Sequence, residues 1–532
     1  MEKDIKKSAK LTLLVGILML IVIATSTTYA YFKTRIKSPG SKISVTGSNF
    51  SLNITDNALT ASGLKPIYDK NKSTQAVKKE FTISIGSDGI TSACYDLYID
   101  IENLGSNLRN KYFKYEITNG TDTYAGNFSG RTDGSQILIM RNQNINTTNT
   151  SNSYTLYLWL AYGDNDDSQG ELLTGDAASR TYKGRILAKA VTGSCKSVTL
   201  TEAILEDNQT ISQRTDFSVT NVANTTGTIY KTNKTEDGSD VYYYSGNTTK
   251  NWVKFGGFYW RIIRTNEDGS VRMLYSGTSH DTTSGYIGTS AFNSTYNDPM
   301  YVGYMYGTSG SLANNRTNEN DSTIKTTIDT WYQNNLLTNY DKYISKTAIY
   351  CNDRSVGGGT YNFGGASFYY GSYVRLNNTK KTTPSYKCGA NINDGLYEST
   401  QATEDKFSAS TSGGGNGQLK YPIALMTADE FVFAGGAYYK SLSSPYAWFY
   451  TNSANDSITG TKYWRLLSPS RCGSSNSLML YARGSNTPGY LESGTAEVSY
   501  AVRPVISLSS CVKVTGNGTP ESPYEIDETS CN

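Results

Sequence analysis

The sequence predicts a multidomain, strand-rich chain: an N-terminal signal or membrane helix, an all-β antiparallel sandwich, and then an α+β domain. Three observations predict it. At 532 residues the chain exceeds one ordinary core, so two or three domains are expected. Tyr 43 and Gly 49 against Pro 11 describe short aromatic-rich strands joined by polar turns. The third is the run from Val253 to Tyr275, the most strongly structured stretch. Phe258, Trp260 and Ile262 fall on one face and Tyr259, Arg261 and Ile263 on the other, so a central strand covered on both sides is expected. Thr265 to Ser270 supplies the turn residues and Val271 to Tyr275 returns, completing a hairpin.

At the N-terminus, Lys3, Lys6, Lys7 and Lys10 precede the apolar segment Leu11 to Ala24, and Thr28-Tyr29-Ala30 ends with a small residue where a signal peptidase cuts. Counted through its Thr/Ser-rich end, Leu11 to Ala30 also reaches the roughly 20 residues that span a bilayer. Residues 1–30 therefore read as a signal peptide or an uncleaved anchor, the second touching the membrane through residues 11–30. On either reading the chain beyond about residue 31 is outside, on the extracellular face of the cell membrane or secreted. The formal net charge of +3 includes no basic tract beyond the N-terminus, which argues against nucleic acid as a partner.

Seven cysteines suit that compartment, because disulfides persist outside the cytosol. No CxxC or Cys/His spacing points to zinc. Pairing by proximity in sequence joins Cys94 to Cys195, Cys351 to Cys388 and Cys511 to Cys531, and leaves Cys472 over. Closing the short Cys511–Cys531 loop is expected to contribute roughly 3 kcal/mol.

From Lys42 to about Ala190, seven runs alternate with period two: 42–45, 50–54, 79–85, 94–101, 112–117, 153–160 and 184–188. Their number and spacing predict an antiparallel sandwich over residues 31–195. The apolar segment followed by Ala30-Tyr31-Phe32, with Leu64-Lys65-Pro66 shortly before Lys78-Lys79-Glu80-Phe81-Thr82-Ile83, resembles the camelysin and biofilm-fibre proteins exported by Gram-positive bacteria, over about residues 10–190. That resemblance implies self-assembly into fibres by strand exchange. The low-complexity insert around Asn142 to Ser153 departs from the family's pattern.

Residues 196–240 read as a linker, with a short helical pattern at Thr199 to Glu206 and a Thr/Asn/Ser-rich stretch from Asn208 to Asp240. The α+β domain then covers 241–532. Asp321-Ser322-Thr323 precedes Ile324, Ile328 and Trp331 at helical spacing, predicting a capped helix that ends near Leu337. Thr427 and Glu430 have capping-box spacing for a second helix, which Gly435-Gly436 stop. Tyr463 to Leu467 and Val502 to Leu508 are strand candidates, and Pro504 suggests an edge or a bulge in the latter.

Trp260-Arg261-Ile262-Ile263-Arg264, Thr427-Ala428-Asp429-Glu430, Gly435-Gly436, Trp464-Arg465-Leu466-Leu467-Ser468-Pro469 and Val502-Arg503-Pro504-Val505 together resemble an uncharacterised extracellular domain of exported gut Gram-positive proteins. That domain is similar to the C-type-lectin-like fold of formylglycine-generating enzymes and of variable receptor-binding proteins. The resemblance covers most of residues 241–515 and brings no established activity. It implies that the first and last strands pair, setting Trp260 to Arg264 beside Val502 to Leu508. It also implies that long loops such as Gly357-Gly358-Gly359 and Gly413-Gly414-Gly415-Asn416-Gly417 carry ligand contacts.

Few residues invite catalytic chemistry. His280 is the only histidine and sits in the turn-like Gly277-Thr278-Ser279-His280-Asp281, where an ordinary loop residue is expected. Cys472, beside Arg471, would need a lowered pKa to react, and burial is the expectation. Formylglycine-generating enzymes use a close cysteine pair with copper; Cys472 has no second cysteine near it in sequence, so neither oxidase activity nor a cofactor is carried over. Asp164-Asn165-Asp166-Asp167-Ser168-Gln169-Gly170-Glu171 alternates oxygen ligands like a calcium loop, but its glycine falls one place late, which favours a solvated hairpin tip. Asp429 and Glu430 point in different directions on a helix, and capping accounts for Glu430. No glycine pattern matches a nucleotide site.

Arg264, Arg465 and Arg503 stand near aromatics at strand positions, where they either pair with buried carboxylates or grip an anionic or sugar ligand. What remains is Tyr, Asn and Ser in long loops, the composition of binding surfaces. The expected function is that of a non-enzymatic surface protein that binds a glycan, cell wall or host protein. Its rivals are a structural fibre subunit and an enzyme of unknown reaction.

Overall fold

A computed structural model describes residues 43–44 and 51–531, apart from 56–57, 86–90, 121–122, 163–177, positions within 194–197 and 222–226, 362–366, 378–382, 390–404, 411–415 and 474–475. The signal or anchor segment, the Ala30-Tyr31-Phe32 match, the Asp164 to Glu171 run and Gly413-Gly414-Gly415 lie outside the described residues. The chain divides at Lys196/Ser197 into two compact units.

In the first unit, alternation decides which side chains go inside. Phe113, Tyr115 and Ile117 are buried while Lys114 and Glu116 between them are less so, and Tyr154, Leu156 and Leu158 repeat the pattern. Ser51–Ile54, Val77–Ile85, Ser151–Ala161, Phe113–Thr118 and Thr123–Asn127 are neighbours, in that order, in one sheet. Ala58–Ala61, Tyr182–Thr192, Ser92–Leu104 and Gln136–Asn146 form another, and the two sheets share one apolar core. Each of the seven period-two runs contains or overlaps a strand.

Gln136–Asn146 escapes that reading because Arg141-Asn142-Gln143-Asn144 interrupts its apolar alternation. The interruption is a bulge: Asn142 has φ 54°, and its N–H donates to Asp96 Oδ1 at 2.8 Å. The stretch read as an insert is the crossing between sheets, since Gln136–Asn146 pairs with Ser92–Leu104 while Ser151–Ala161 pairs with Val77–Ile85. Asn146 Oδ1 holds the turn by accepting from the N–H groups of Thr148 and Asn149, both at 2.8 Å.

The second unit is built on the expected hairpin, which gains a third arm. Trp252–Phe255 pairs with Phe258–Thr265 across Gly256-Gly257, and Val271–Gly277 pairs on the other side. Gly256 and Gly257 have φ 63° and 81°, a conformation that side chains resist. At the far turn the Asn266 N–H donates to Ser270 O at 2.7 Å and the Ser270 N–H to Asp268 Oδ1 at 3.0 Å.

Four expectations are corrected here. The closing strand Pro504–Leu508 pairs with the returning arm, Val271 to Leu508 and Leu274 to Val505, and not with Trp260 to Arg264. Phe258–Thr265 already has neighbours on both edges, so it offers no free ladder. Pro504 is the first residue of a strand flanked by Val271–Gly277 and Ala424–Leu425, a terminal position where proline's missing N–H is tolerated. Residues 198–232 are no linker: Val198–Thr199, Thr210–Ser212 and Thr228–Thr232 join the large sheet and Leu200–Asp207 is a helix packed against it. Gly357 and Gly358 belong to the buried strand Val356–Gly358; a Cβ on Gly357 would stand 3.0 Å from Gly371 Cα, so glycine permits that close packing.

Both capped helices form as expected. Ser322 Oγ accepts from the Lys325 N–H at 3.3 Å at the start of Thr323–Asn335. Thr427 and Glu430 make the reciprocal capping box of Ala428–Phe433. Trp464–Cys472 lies in a second sheet with Ser477–Ala482 and Phe368–Tyr370.

Candidate functional site

The three arginines singled out by sequence do not come together. Arg503 is fully buried, donates to the carbonyls of Tyr275 at 3.1 Å and Phe449 at 2.7 Å, and lies over the Trp464 ring at 4.8 Å. Arg465 donates through Nη2 to the carbonyls of Thr495 and Val498, both at 2.6 Å, over the Tyr500 ring. Burial pushes the Arg503 pKa down to about 9 and that of Arg465 down to about 10. Both tie strand ends and loops together. Arg264 alone faces a cleft.

That cleft has a volume of about 170 Å³. Its floor is an ionic chain drawn from five segments. Glu430, at the first turn of Ala428–Phe433, accepts from the Thr427 N–H through Oε2 at 3.0 Å, and through Oε1 from Arg272 Nη1 at 2.8 Å and Arg264 Nε at 3.4 Å. Its neighbour Asp429 takes a bidentate pair from Arg375, Nε to Oδ1 at 3.0 Å and Nη2 to Oδ2 at 2.9 Å. Arg375 also donates to Asp353 Oδ2 at 3.0 Å. Two adjacent helix residues thus point apart, as expected, and each meets its own guanidinium.

A strap from Ser385 to Cys388 borders the cleft. The Ser385 N–H donates to Asp429 Oδ1 at 3.0 Å, the Cys388 N–H to Glu236 Oε1 at 2.6 Å, and the Cys351–Cys388 disulfide fixes its end. Glu236 comes from the stretch read as a linker. Tyr386 lies under the Arg264 guanidinium at 4.3 Å and against Phe433 at 4.2 Å. Burial alone would raise the Glu430 pKa, but the charges of Arg272 and then Arg264 reverse this and leave it below its ordinary 4.5.

Three polar atoms break the pattern of mutual satisfaction. Arg272 Nε, Asn266 Oδ1 and Tyr386 Oη are buried with no hydrogen-bond partner among the described residues, and all three side chains line this cleft. Sequence reasoning found Arg264 but missed Arg272, Arg375 and Asp353. Arg272 did carry a signal: it is a charge in the middle of Val271-Arg272-Met273-Leu274, a run whose apolar neighbours require burial.

The other candidates fall outside. His280 Nδ1 is 2.6 Å from Ser453 Oγ, and its ring stands edge-on to Trp252 and Tyr259. All three disulfides bond as expected: Cys94–Cys195, Cys351–Cys388 and Cys511–Cys531. Cys472 is free and buried, and burial pushes its thiol up to about 11. At pH 8 it is therefore expected to react with a thiol reagent at least 100-fold more slowly in the native protein than after unfolding, read as absorbance of the released thiolate. A native rate within tenfold of the unfolded one would contradict its burial.

Among the described residues no group of three or more His, Cys, Asp or Glu is arranged to hold a metal ion. No helix among them is long and apolar enough to cross a membrane.

No family model matches the chain, and no curated protein matches it. Among solved structures, one similarity is to the crystal structure of infectious bursal disease virus VP2 subviral particle, at 17% identity and a TM-score of 0.14. It covers 31% of this chain and 40% of that one, and carries no argument about fold or function.

Proposed function

We propose that the chain is a non-enzymatic cell-surface or secreted bacterial protein whose second unit binds a glycan, cell-wall or host-protein ligand in the Arg264–Glu430 cleft. The supporting observation is the way the cleft is built: an ion-paired floor and a disulfide-braced strap around an open space of about 170 Å³. A frame held this way is ordered before ligand arrives, which lowers the entropic cost of binding. Three disulfides suit an extracellular setting. In this reading the first unit is an antiparallel sandwich and the second a C-type-lectin-like α+β domain.

The test is a glycan and cell-wall array probed with the full chain and with Thr347→Trp. Thr347 lines the cleft and is exposed, so a Trp there blocks the cleft; the change gives up the Thr347 hydrogen bond to Asp268, at 2.9 Å, and the variant's melting is compared with the parent's. Ligand signal is expected to fall at least tenfold; signal that survives unchanged sinks this assignment.

A fibre-forming role for the first unit has one observation in its favour. Among the described residues, Thr123–Asn127 and Gln136–Asn146 each end the strand order of a sheet, and sheet edges are where strands from other chains add. Filaments from residues 31–195 are expected on this reading, and strictly monomeric sedimentation at high concentration argues against it.

A further inference from the structure

We propose that the second unit carries a surface for a neutral hexose chain, separate from the cleft, where Tyr439, Tyr463 and Tyr490 border the Arg483–Glu492 ion pair. None of these residues lines the cleft. The inference goes beyond the binding role proposed above and does not depend on it.

Local structure brings the group together. Ser477–Ala482 and Leu491–Thr495 form a hairpin in which Tyr481 stands opposite Glu492. At its turn the Arg483 N–H donates to Tyr490 O at 2.9 Å. The Tyr439 N–H donates to Leu491 O at 3.1 Å, which seats a second loop beside that strand. Tyr439 has φ 53°, a left-handed backbone that a bulky residue rarely adopts, and its side chain is 47% exposed, so core packing does not account for it. Strain held without such packing collects at functional surfaces.

The rings make an aromatic border. Tyr439 packs against Tyr490 with centroids 5.4 Å apart, and the Arg483 guanidinium lies over Tyr490 at 5.3 Å and over Tyr463 at 5.5 Å. Tyr463 and Tyr490 are partly exposed. A pyranose presents C–H groups from its faces, and these suit the electron-rich face of an aromatic ring. Tyrosine adds contact area at low entropic cost.

The polar pair narrows the ligand. Arg483 donates to Glu492 through Nε, at 2.8 Å, and through Nη2, and the Tyr481 hydroxyl donates to the same carboxylate at 2.7 Å; all three bonds end on Oε2. Glu492 Oε1 and Arg483 Nη1 take no part in them, which leaves one acceptor and one donor within a single pair. The Arg483 and Glu492 side chains are 29% and 21% exposed, so a ligand reaches them from solvent. Hydroxyls on a sugar ring both donate and accept, and complete the two together.

The charges of the pair cancel. An acidic sugar would set a carboxylate beside Glu492, and an amino sugar an ammonium beside Arg483; a neutral hexose meets neither repulsion. Lys440 and Lys462 neighbour two of the rings in sequence, but both are exposed, where water and salt screen them.

The experiment is calorimetric titration of the full chain with β-1,4-linked hexamers of glucose, glucosamine, mannose and mannuronate. At least one neutral hexamer is expected to bind at least fivefold more tightly than its charged counterpart, glucosamine for glucose and mannuronate for mannose. Tyr439→Asn, whose side chain tolerates the left-handed backbone, is expected to melt with the parent and to weaken that binding about fivefold, the value of one aromatic contact. Glu492→Gln leaves Arg483 without its carboxylate and is expected to raise the affinity for mannuronate at least fivefold; a merely structural pair would lower the melting temperature and leave the order of ligands as it was. Absence of binding by both neutral hexamers overturns the proposal, as does equal binding of neutral and charged hexamers or an unchanged order in Glu492→Gln. Thr347→Trp is expected to leave the hexamer affinity as it is. If that variant abolishes binding, the sugar sits in the cleft, and this inference falls while the cleft's role stands. If the hexamers bind and no array ligand depends on the cleft, the cleft's role falls and this inference stands.

Discussion

Glu430→Ala is expected to destabilise the second unit by about 3–5 kcal/mol, the range for removing one partner of a buried ion pair. Glu430 is 1% exposed, and its carboxylate faces two guanidiniums, Arg272 at 2.8 Å and Arg264 at 3.4 Å. Without it Arg272 keeps only the Ile349 carbonyl, and Arg264 has the more distant Glu267 carboxylate, at 3.5 Å, so guanidinium charge inside the unit loses its closest partner. Loss of the helix cap alone would cost only about 1 kcal/mol. Glu430→Gln separates the two contributions, since it keeps an oxygen for the Thr427 N–H but removes the charge. Destabilisation by Gln nearly as large as by Ala identifies the ion pair as dominant; a Gln variant within about 1 kcal/mol of the parent identifies the cap. Denaturant unfolding followed by fluorescence reads this unit selectively, because Trp252, Trp260, Trp331, Trp448 and Trp464 lie in it and only Trp159 does not.

The same carboxylate gives a pH dependence of known sign. A group whose folded pKa is depressed stabilises the fold above its unfolded pKa and loses that contribution as pH falls through the folded value. For Glu430 the contribution is complete above its ordinary 4.5 and fades as acid is added below it. Asp405, held between Arg354 and Arg316, shifts in the same direction, burial working against those two charges. Acid unfolding of the second unit is therefore expected to begin below pH 4.5, and Glu430→Ala is expected to make the stability curve shallower there.

Local chemistry made much of the fold legible. The hairpin turn, the Ser322 cap and the Thr427–Glu430 box each depend on residues within a few positions of one another, and each forms where the spacing places it. The first unit's strands follow their own alternation, apart from the bulge at Asn142, where one left-handed residue breaks the period. Which strand neighbours which was less legible. The returning arm and not the leading one meets Pro504–Leu508, because Trp252–Phe255 and Val241–Tyr243 share one edge of Phe258–Thr265 and the returning arm itself takes the other.

The cleft was scarcely legible at all. Its residues run from Glu236 to Ser468, and no spacing rule links Arg375 to Asp429 or Arg272 to Glu430. What the sequence did hold was a set of charges within apolar strands, each a sign that a partner must exist somewhere. Arg264 found a carboxylate, while Arg465 and Arg503 found backbone carbonyls and aromatic faces. Guanidinium geometry suits both outcomes, so residue type alone does not choose between them.

Removing the Cys94–Cys195 disulfide by paired alanine substitution is expected to have the largest effect of the three bonds, about 5 kcal/mol, against about 4 for Cys351–Cys388 and about 3 for Cys511–Cys531. The order follows from the loops they close, with sequence separations of 101, 37 and 20. In the folded first unit the bond adds little that the sheet does not already provide, because Cys94 is paired with Val191 and Tyr182–Thr192 runs along Ser92–Leu104. Its effect lies in the unfolded chain, where it holds together ends that would otherwise separate. Refolding should then slow more than unfolding accelerates, a difference that stopped-flow kinetics of the oxidised protein and the alanine pair resolves. An inverted order, with the Cys511–Cys531 pair the most damaging, would show that native contacts dominate over loop length. The contact at stake is the pairing of Lys513–Thr515 with Tyr524–Ile526 and of Tyr524–Ile526 with Trp252–Phe255, which docks the chain's end onto the hairpin's extra arm.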